Sequence, residues 1–283
     1  MKLRRMEETI FRGLMVVSTL VVLGSLVLIL SAVLAKGLPA MRLDMITRTP
    51  QGGYYLGKEG GVLNAIVGSL LLTGGATVLS ILLSLPVAFY LNLYAKKSSR
   101  LADLARISLD VLWGVPSIVY GAFGFTIMLF FGIRASLLGG TIAVALLIFP
   151  VMSRAMDEVV RMVPHELLDA SYSVGATRFE TALKVVTRQA LPGFLSAVLV
   201  AFGRGIGDAA SVLFTAGFSD RVPLSLLEPA ATLPLAIFFQ LGTPFPEVQQ
   251  RAYASALILT VLILGVSIGA RLLAARAARH RMK

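Results

Sequence analysis

The sequence predicts an all-α membrane protein with six transmembrane helices and both termini cytoplasmic. Three observations lead there. Of 283 residues, 57% are hydrophobic and 14% charged, where a soluble domain carries roughly 25% charged residues, and the mean hydropathy is +0.83. Six apolar runs of 19 to 34 residues are spaced along the chain, against the ~20 residues a helix needs to cross hydrocarbon. The basic residues are distributed unequally between alternate connections, which sets the orientation. This composition excludes an ordinary soluble enzyme, a disordered chain and a nucleic-acid-binding domain.

The runs follow in order. Residues 1–12 form a basic cytoplasmic N-terminus, and Gly13 to Ala35 is an uncharged anchor helix. That run of 23 residues exceeds a signal-peptide core and no Ala-x-Ala site follows, so it reads as retained. Residues 36–61 form an extracytoplasmic loop with the turn-former stretch Thr49-Pro50-Gln51-Gly52-Gly53. Residues 62–270 form a core with five further spans. These are Val62 to Ala95, Ile107 to Ile133 with the single charge Asp110, the short Ala135 to Ser153, Leu191 to Gly217 with Arg204 and Asp208, and Ala252 to Ala270. Residues 271–283 form a basic cytoplasmic tail. With the N-terminus inside, 18 of the 26 Lys and Arg residues lie inside, 7 lie outside and Arg204 lies within a span. This asymmetry accounts for the pI of about 10.3 without a nucleic-acid partner.

Two connections within the core are long. Residues 218–251, outside, hold five of the twelve prolines, and their apolar piece Leu233 to Leu241 is too short to span, which leaves a re-entrant or a surface-lying helix. Residues 154–190, inside, mix both signs of charge, among them Asp157, Glu158, Arg161, Glu166, Asp169 and Arg178. Pro164 suits a helix start, Gly175 a helix stop, and a second helix follows from Thr177. The spacing predicts helix, glycine elbow, helix, lying parallel to the membrane; a solvated connecting loop would show the same charges.

Chemistry-bearing residues are few. There is no cysteine, and the two histidines, His165 and His280, are far apart, so neither a metal cluster nor a Ser-His-Asp triad is expected. No phosphate-binding GxxxxGK[ST] loop occurs. Arg204 and Asp208 are the exception. At 100° per residue, Asp208, Ser211 and Thr215 fall within about 40° of Arg204, a polar stripe on an apolar helix. Each charge costs roughly 2.5–3.5 kcal/mol to place mid-membrane, so the stripe should face protein or water. One account is a structural ion pair, helped by the close-packing patch Gly203 and Gly207. The other is an anion path, since a guanidinium offers a fork of donors that matches tetrahedral oxyanions. Asn64 and Ser117 could line the same path or hold helices together. Pro116 should kink its helix, and Asp110 should snorkel or cap at the inner end of its span.

Four blocks carry a family resemblance. Leu168-Asp169-Ala170-Ser171-Tyr172-Ser173-Val174-Gly175 resembles the Glu-Ala-Ala-x-x-x-Gly signature of ABC importer permeases, with Asp169 and Ser171 in place of the usual Glu and second Ala. Gly60 to Ser69, Gly114-Val115-Pro116-Ser117-Ile118-Val119-Tyr120-Gly121, and Gly203-Arg204-Gly205-Ile206-Gly207-Asp208-Ala209-Ala210 are similar to blocks of phosphate-specific permeases, in the same order. Leu233-Pro234 before the last span favours the PstA type over its PstC partner. The resemblance implies an ABC importer type I permease fold in a bacterial cytoplasmic (inner) membrane. It implies a coupling helix docked on an ATPase through Glu166, Asp169, Ala170, Ser171, Gly175 and Arg178. The implied partners are an ATPase subunit dimer, a PstC-type second permease and an extracytoplasmic phosphate-binding protein, besides membrane lipid; no cofactor is implied. The chain would translocate inorganic phosphate by alternating access past Arg204, Asp208, Ser211, Thr215, Ser117 and Asn64, and would itself perform no covalent chemistry. Another oxyanion such as tungstate or phosphonate fits the same machine, while an ion-driven carrier would need a paired broken-helix repeat that the sequence lacks.

Overall fold

Residues 2–51, 59–96 and 99–278 are described in this computed structural model; Gly52, Gly53, Lys58, Lys97 and the basic tail beyond Ala278 lie outside the described residues. The described residues are mostly helical, with turns and loop over 207–232 and one antiparallel two-residue pairing of Pro50–Gln51 with Glu59–Gly60. In order, α1 is Lys2–Gly37, α2 Leu43–Thr47, α3 Leu63–Phe89, α4 Arg100–Gly114, α5 Ser117–Phe130 and α6 Leu137–Arg161. Then come α7 His165–Ser173, the single turn α8 Arg178–Glu180, α9 Thr187–Ile206, α10 Leu233–Leu241 and α11 Pro246–Ala278. Among the described residues five helical stretches are long and apolar enough to cross a membrane, and a sixth only if the bent pair α4–α5 counts as one.

The centre of the fold is α3 packed along α6, with α9 on the second side of α6. Small and hydroxyl residues let the backbones approach, and the hydroxyls bond across the seam, as membrane interfaces favour. Ser80 donates to the Ala145 carbonyl at 3.1 Å and Ser153 to Ser84 Oγ at 2.9 Å. Val144, Ile148 and Met152 of α6 meet Leu72 and Ala76 of α3 and Ala197 and Ala201 of α9 in the main core. A second cluster, with Val62, Ala65, Leu233, Ala236 and Ala254, closes the end that carries α10. The opposite end of α6 leads into α7, 25 residues and ~37 Å away.

Four sequence expectations are corrected by this architecture. The third run is no single straight helix: α4 and α5 meet at 100°. Val115 is extended, as the residue before a proline prefers, and Pro116 caps α5, which at 14 residues is only ~21 Å long. The fourth span does not end at Ser153: its helix runs on to Arg161, and the charges of those added turns are neutralised there by pairing. The second helix of that stretch does not lie apart. From Arg178 a one-turn helix, a wide π turn at Thr181–Val186 and α9 form one continuous rod. Finally, α9 ends at Ile206, eleven residues before Gly217. Glycines at 203, 205 and 207 lower the helix propensity of that stretch, and residues 208–216 fold into turns.

The apolar piece before the last span is a helix buried within the fold. Leu233, Leu235 and Ala236 are fully buried. The Leu233 N–H is received by Ser69 Oγ of α3 at 2.8 Å, and Thr232 caps the helix.

Candidate functional site

The turn segment 207–217 carries three of the four polar residues read as a stripe. It lies against α5 and α6. Gly121 of α5 sits so close that a Cβ there would stand 2.7 Å from the Ser211 carbonyl and 2.9 Å from that of Ala210. One turn on, a Cβ at Gly124 would meet the Thr215 methyl at an ordinary 3.4 Å. The far end of the segment is tied by backbone bonds: Ser136 N–H to the Thr215 carbonyl at 2.9 Å and Ala230 N–H to that of Ala216 at 2.9 Å.

Because α9 stops at Ile206, the helical spacing does not hold across the segment. Arg204 occupies the last turn of α9, where the carbonyl end of the helix favours a cation, and it is half-buried. Among the described residues it forms no ion pair with Asp208. The Asp208 carboxylate instead accepts the Ser211 N–H at 2.7 Å through Oδ2 and caps the turn. The ion-pair account is therefore corrected: a side chain placed just past a helix end bonds the nearest free backbone donor before a residue on the helix behind it. Thr215 is fully buried and donates to the Ser211 carbonyl at 2.9 Å. Ser211 Oγ is fully buried with no partner among the described residues, which is uncommon for a buried hydroxyl.

The other two path residues sit at the two ends. Ser117 is the first residue of α5, one turn before Gly121, and half-buried. Asn64, in the first turn of α3, is buried and donates from Nδ2 to the Ser219 carbonyl at 2.7 Å, just beyond the turn segment. Tyr120 lies within electrostatic reach of Arg204, and its hydroxyl donates back across the bend to the Leu112 carbonyl at 2.7 Å.

At the other end of α6, helix α7 begins at Pro164 as expected and leaves Glu166, Asp169, Ala170 and Tyr172 exposed. Leu168 turns inward to the core, and Ser171 shares a hydrogen bond with Thr181 at 2.9 Å. Gly175 ends the helix at φ +84°, with its N–H on the Tyr172 carbonyl at 2.9 Å and the Ala176 N–H on that of Ser171 at 3.2 Å. These are the two bonds of a Schellman motif, whose left-handed residue favours glycine. Thr177 and Glu180 form a reciprocal capping box that starts the next rod. Arg178 donates to the Tyr94 carbonyl at 3.3 Å, so it holds this elbow to α3's extension as well as standing exposed.

Sequence reasoning missed one cluster. Asp157 is 0% exposed and receives Arg106 Nε, Arg154 Nη1 and Arg161 Nη2, each at 3.1 Å, and Asn92 Nδ2 at 2.8 Å. Asp110 pairs with Arg154 at 3.0 Å. The available signal was the placement of Arg154 and Arg161 at i−3 and i+4 of Asp157, one helix face.

The chain was compared with known families, curated relatives and solved structures. Residues 80–279 match the model for the binding-protein-dependent transport system inner membrane component. Relatives include the phosphate transport system permease protein PstA of Haemophilus influenzae, 31% identical over 95% of this chain and 94% of its own. The protein of the same name from Mycobacterium leprae is 34% identical over 94% of this chain and 88% of its own. Among solved structures, an inward-facing MetNI methionine ABC transporter shares the fold with a TM-score of 0.61 at 17% identity, over 76% of this chain and 95% of that one. An amino acid ABC transporter solved with histidines has a TM-score of 0.54 at 20% identity, over 76% and 92%. The chain thus belongs to the binding-protein-dependent transport system inner membrane components, and within them to the PstA-type permeases.

Proposed function

We propose that this chain is the transmembrane permease subunit of an ATP-driven importer and that it carries inorganic phosphate by alternating access. The observation that carries the reading is Arg204: half-buried, in a helix-terminal turn, with no carboxylate taking up its donors among the described residues. Such a guanidinium can offer two parallel N–H donors to a tetrahedral oxyanion. Asp208 spends Oδ2 on the Ser211 N–H, which leaves Oδ1 to accept a hydrogen bond from a protonated oxyanion. Hydrogen phosphate has that proton; sulfate at neutral pH has none and meets a bare negative charge. Ser211 and Thr215 supply hydroxyls beside the anion, Ser117 the start of α5, and Asn64 the far end of the path.

The α7 end is cytoplasmic in this reading, and so are both termini, with α4–α5 counted as one of six spans. The partition into residues 1–12, 13–35, 36–61, 62–270 and 271–283 follows from that orientation. ATP binds on a separate subunit dimer. The face of α7 with Glu166, Asp169, Ala170 and Ser171 docks there, and the Gly175 elbow with Arg178 passes the movement to α9. A PstC-type permease completes the pathway, and an extracytoplasmic binding protein delivers the anion in the bacterial inner membrane. Its likeness to phosphate transport system permease proteins supports phosphate as the cargo.

The test is uptake of radiolabelled phosphate by the complete complex in vesicles. Arg204→Gln should reduce uptake at least tenfold with the complex still assembled. Unchanged uptake would remove the anion-path role, and stronger competition by tungstate or a phosphonate than by phosphate would reassign the cargo.

A further inference from the structure

The cluster around Asp157 joins three helices at the α7 end. Arg106 comes from α4, Arg154 and Arg161 from α6, and Asn92 from the wide π turn that extends α3 at Tyr90–Tyr94. Two bridges of opposite polarity connect α4 to α6: Arg106 to Asp157 at 3.1 Å, and Asp110 to Arg154 at 3.0 Å. On α4 these residues are four apart and on α6 three apart, so the bridges lie one turn from each other on facing surfaces. Arg106 also donates to the Leu91 carbonyl at 3.2 Å.

Apolar packing does little to fix α4. Only Ala102 and Leu109 on it are buried, while Leu101, Leu104, Ile107 and Val111 are exposed. A buried ion cluster is weak evidence for stability, because apolar replacements often serve as well; orientation is the better-supported reason to keep one. The middle and the end of α4 then differ in what they touch. The middle, at Arg106 and Asp110, is bolted to the last turns of α6, with only three residues, Met162 to Pro164, before α7 begins. The end reaches the 100° bend at Val115–Pro116, pinned by the Tyr120 to Leu112 bond, from which Gly121 presses on the Ser211 carbonyl.

We propose that Asp157 is a positioning residue that locks α4 to the α7 end of α6, so that α4 acts as a lever carrying α7's movement to the bend and on to the turn beside Arg204. The proposal rests on the importer reading above. It gives the chain a route between the ATPase face and the anion site that is separate from the Gly175 elbow and α9.

The chain has no cysteine, so introduced thiols are the only ones on it and can be labelled before the complex is assembled. Spin labels at Leu104→Cys on α4 and Leu226→Cys, in the loop before α10, both exposed, report the lever across the molecule in the full complex. The distance should shift by about 2 Å or more between the nucleotide-free and ATP–vanadate states, the size of known helix shifts. Asp157→Asn should abolish the shift while ATP hydrolysis continues, and Asp157→Glu should restore it. Asp110→Asn, which alters a half-exposed group, should lower transport per ATP by roughly 2- to 30-fold and covers the case in which Asp157→Asn does not assemble. A shift of undiminished size in Asp157→Asn, unchanged coupling in Asp110→Asn, or a wild-type distance indifferent to nucleotide would each overturn the lever. The distance does not depend on the solute, so a wild-type complex that moves α4 but carries no phosphate would sink the cargo reading alone.

Discussion

The Asp208 carboxylate accepts the Ser211 backbone N–H at 2.7 Å rather than pairing with Arg204 four residues earlier. Position 208 therefore holds two separable properties, a cap and a charge. Asparagine keeps the accepting oxygen and caps as well as aspartate. Asp208→Asn should leave thermal stability close to the native value, whereas Asp208→Ala should cost about 1 kcal/mol. The lost charge should show in selectivity: sulfate should compete for uptake in Asp208→Asn and not in the native complex, as labelled-phosphate competition will read.

Arg204 should not be replaceable by its like-charged relative. Lysine is a point charge without the planar fork, and a hydrogen bond to a charged group is worth about 1.5–3 kcal/mol. Arg204→Lys should thus raise the phosphate concentration for half-maximal uptake by roughly tenfold or more, with α9 intact by circular dichroism.

Gly175 meets nothing within 4 Å at its missing Cβ, so its substitution is strained by backbone geometry alone, at φ +84°. Gly175→Ala should cost about 1–2 kcal/mol locally, and Gly175→Asn less. The elbow, not the core, absorbs this, so transport per ATP should fall in the order Gly, Asn, Ala while assembly persists. Paired hydrolysis and uptake assays decide it.

Gly121 and Gly124 make an internal control. A Cβ at 121 collides with a backbone carbonyl at 2.7 Å, which has no side-chain freedom to retreat, whereas at 124 the first contact is 3.4 Å. Overpacking of the first kind costs typically 1–3 kcal/mol, while alanine gains up to about 1 kcal/mol of helix propensity over glycine. Gly124→Ala should hold or raise the unfolding midpoint, Gly121→Ala should lower it, and Gly121→Val should lower it further.

How far the sequence is legible varies along the chain with the physics. The runs from Gly13, Val62 and Ala252 map onto α1, α3 and α11 because apolar length is a one-dimensional quantity. Gly175 and Thr177 are legible because caps are local chemistry. The end of α9 is not, because residues 208–216 are as apolar as a span; their backbone groups are satisfied within a buried turn by Asp208 and by loops arriving from Ser136 and Ala230, and a buried turn leaves no hydropathy mark. Asp157 is hidden for a related reason. Its charge counts the same in sequence whether it faces water or three guanidiniums, and only the packing of α4 on α6 decides.

Helix α1 leans on α11 near its last turns and little else: among its described side chains only Val33 and Gly37 are withdrawn from its surface, and Gly37 abuts the Tyr253 backbone. Its shaft from Ile10 to Leu30 is clad in exposed aliphatic side chains. Sequence identity along that shaft is accordingly under almost no constraint from the rest of the chain, provided grease and length are kept. An unrelated apolar tether spliced in before Val33 would leave this chain's own interior undisturbed.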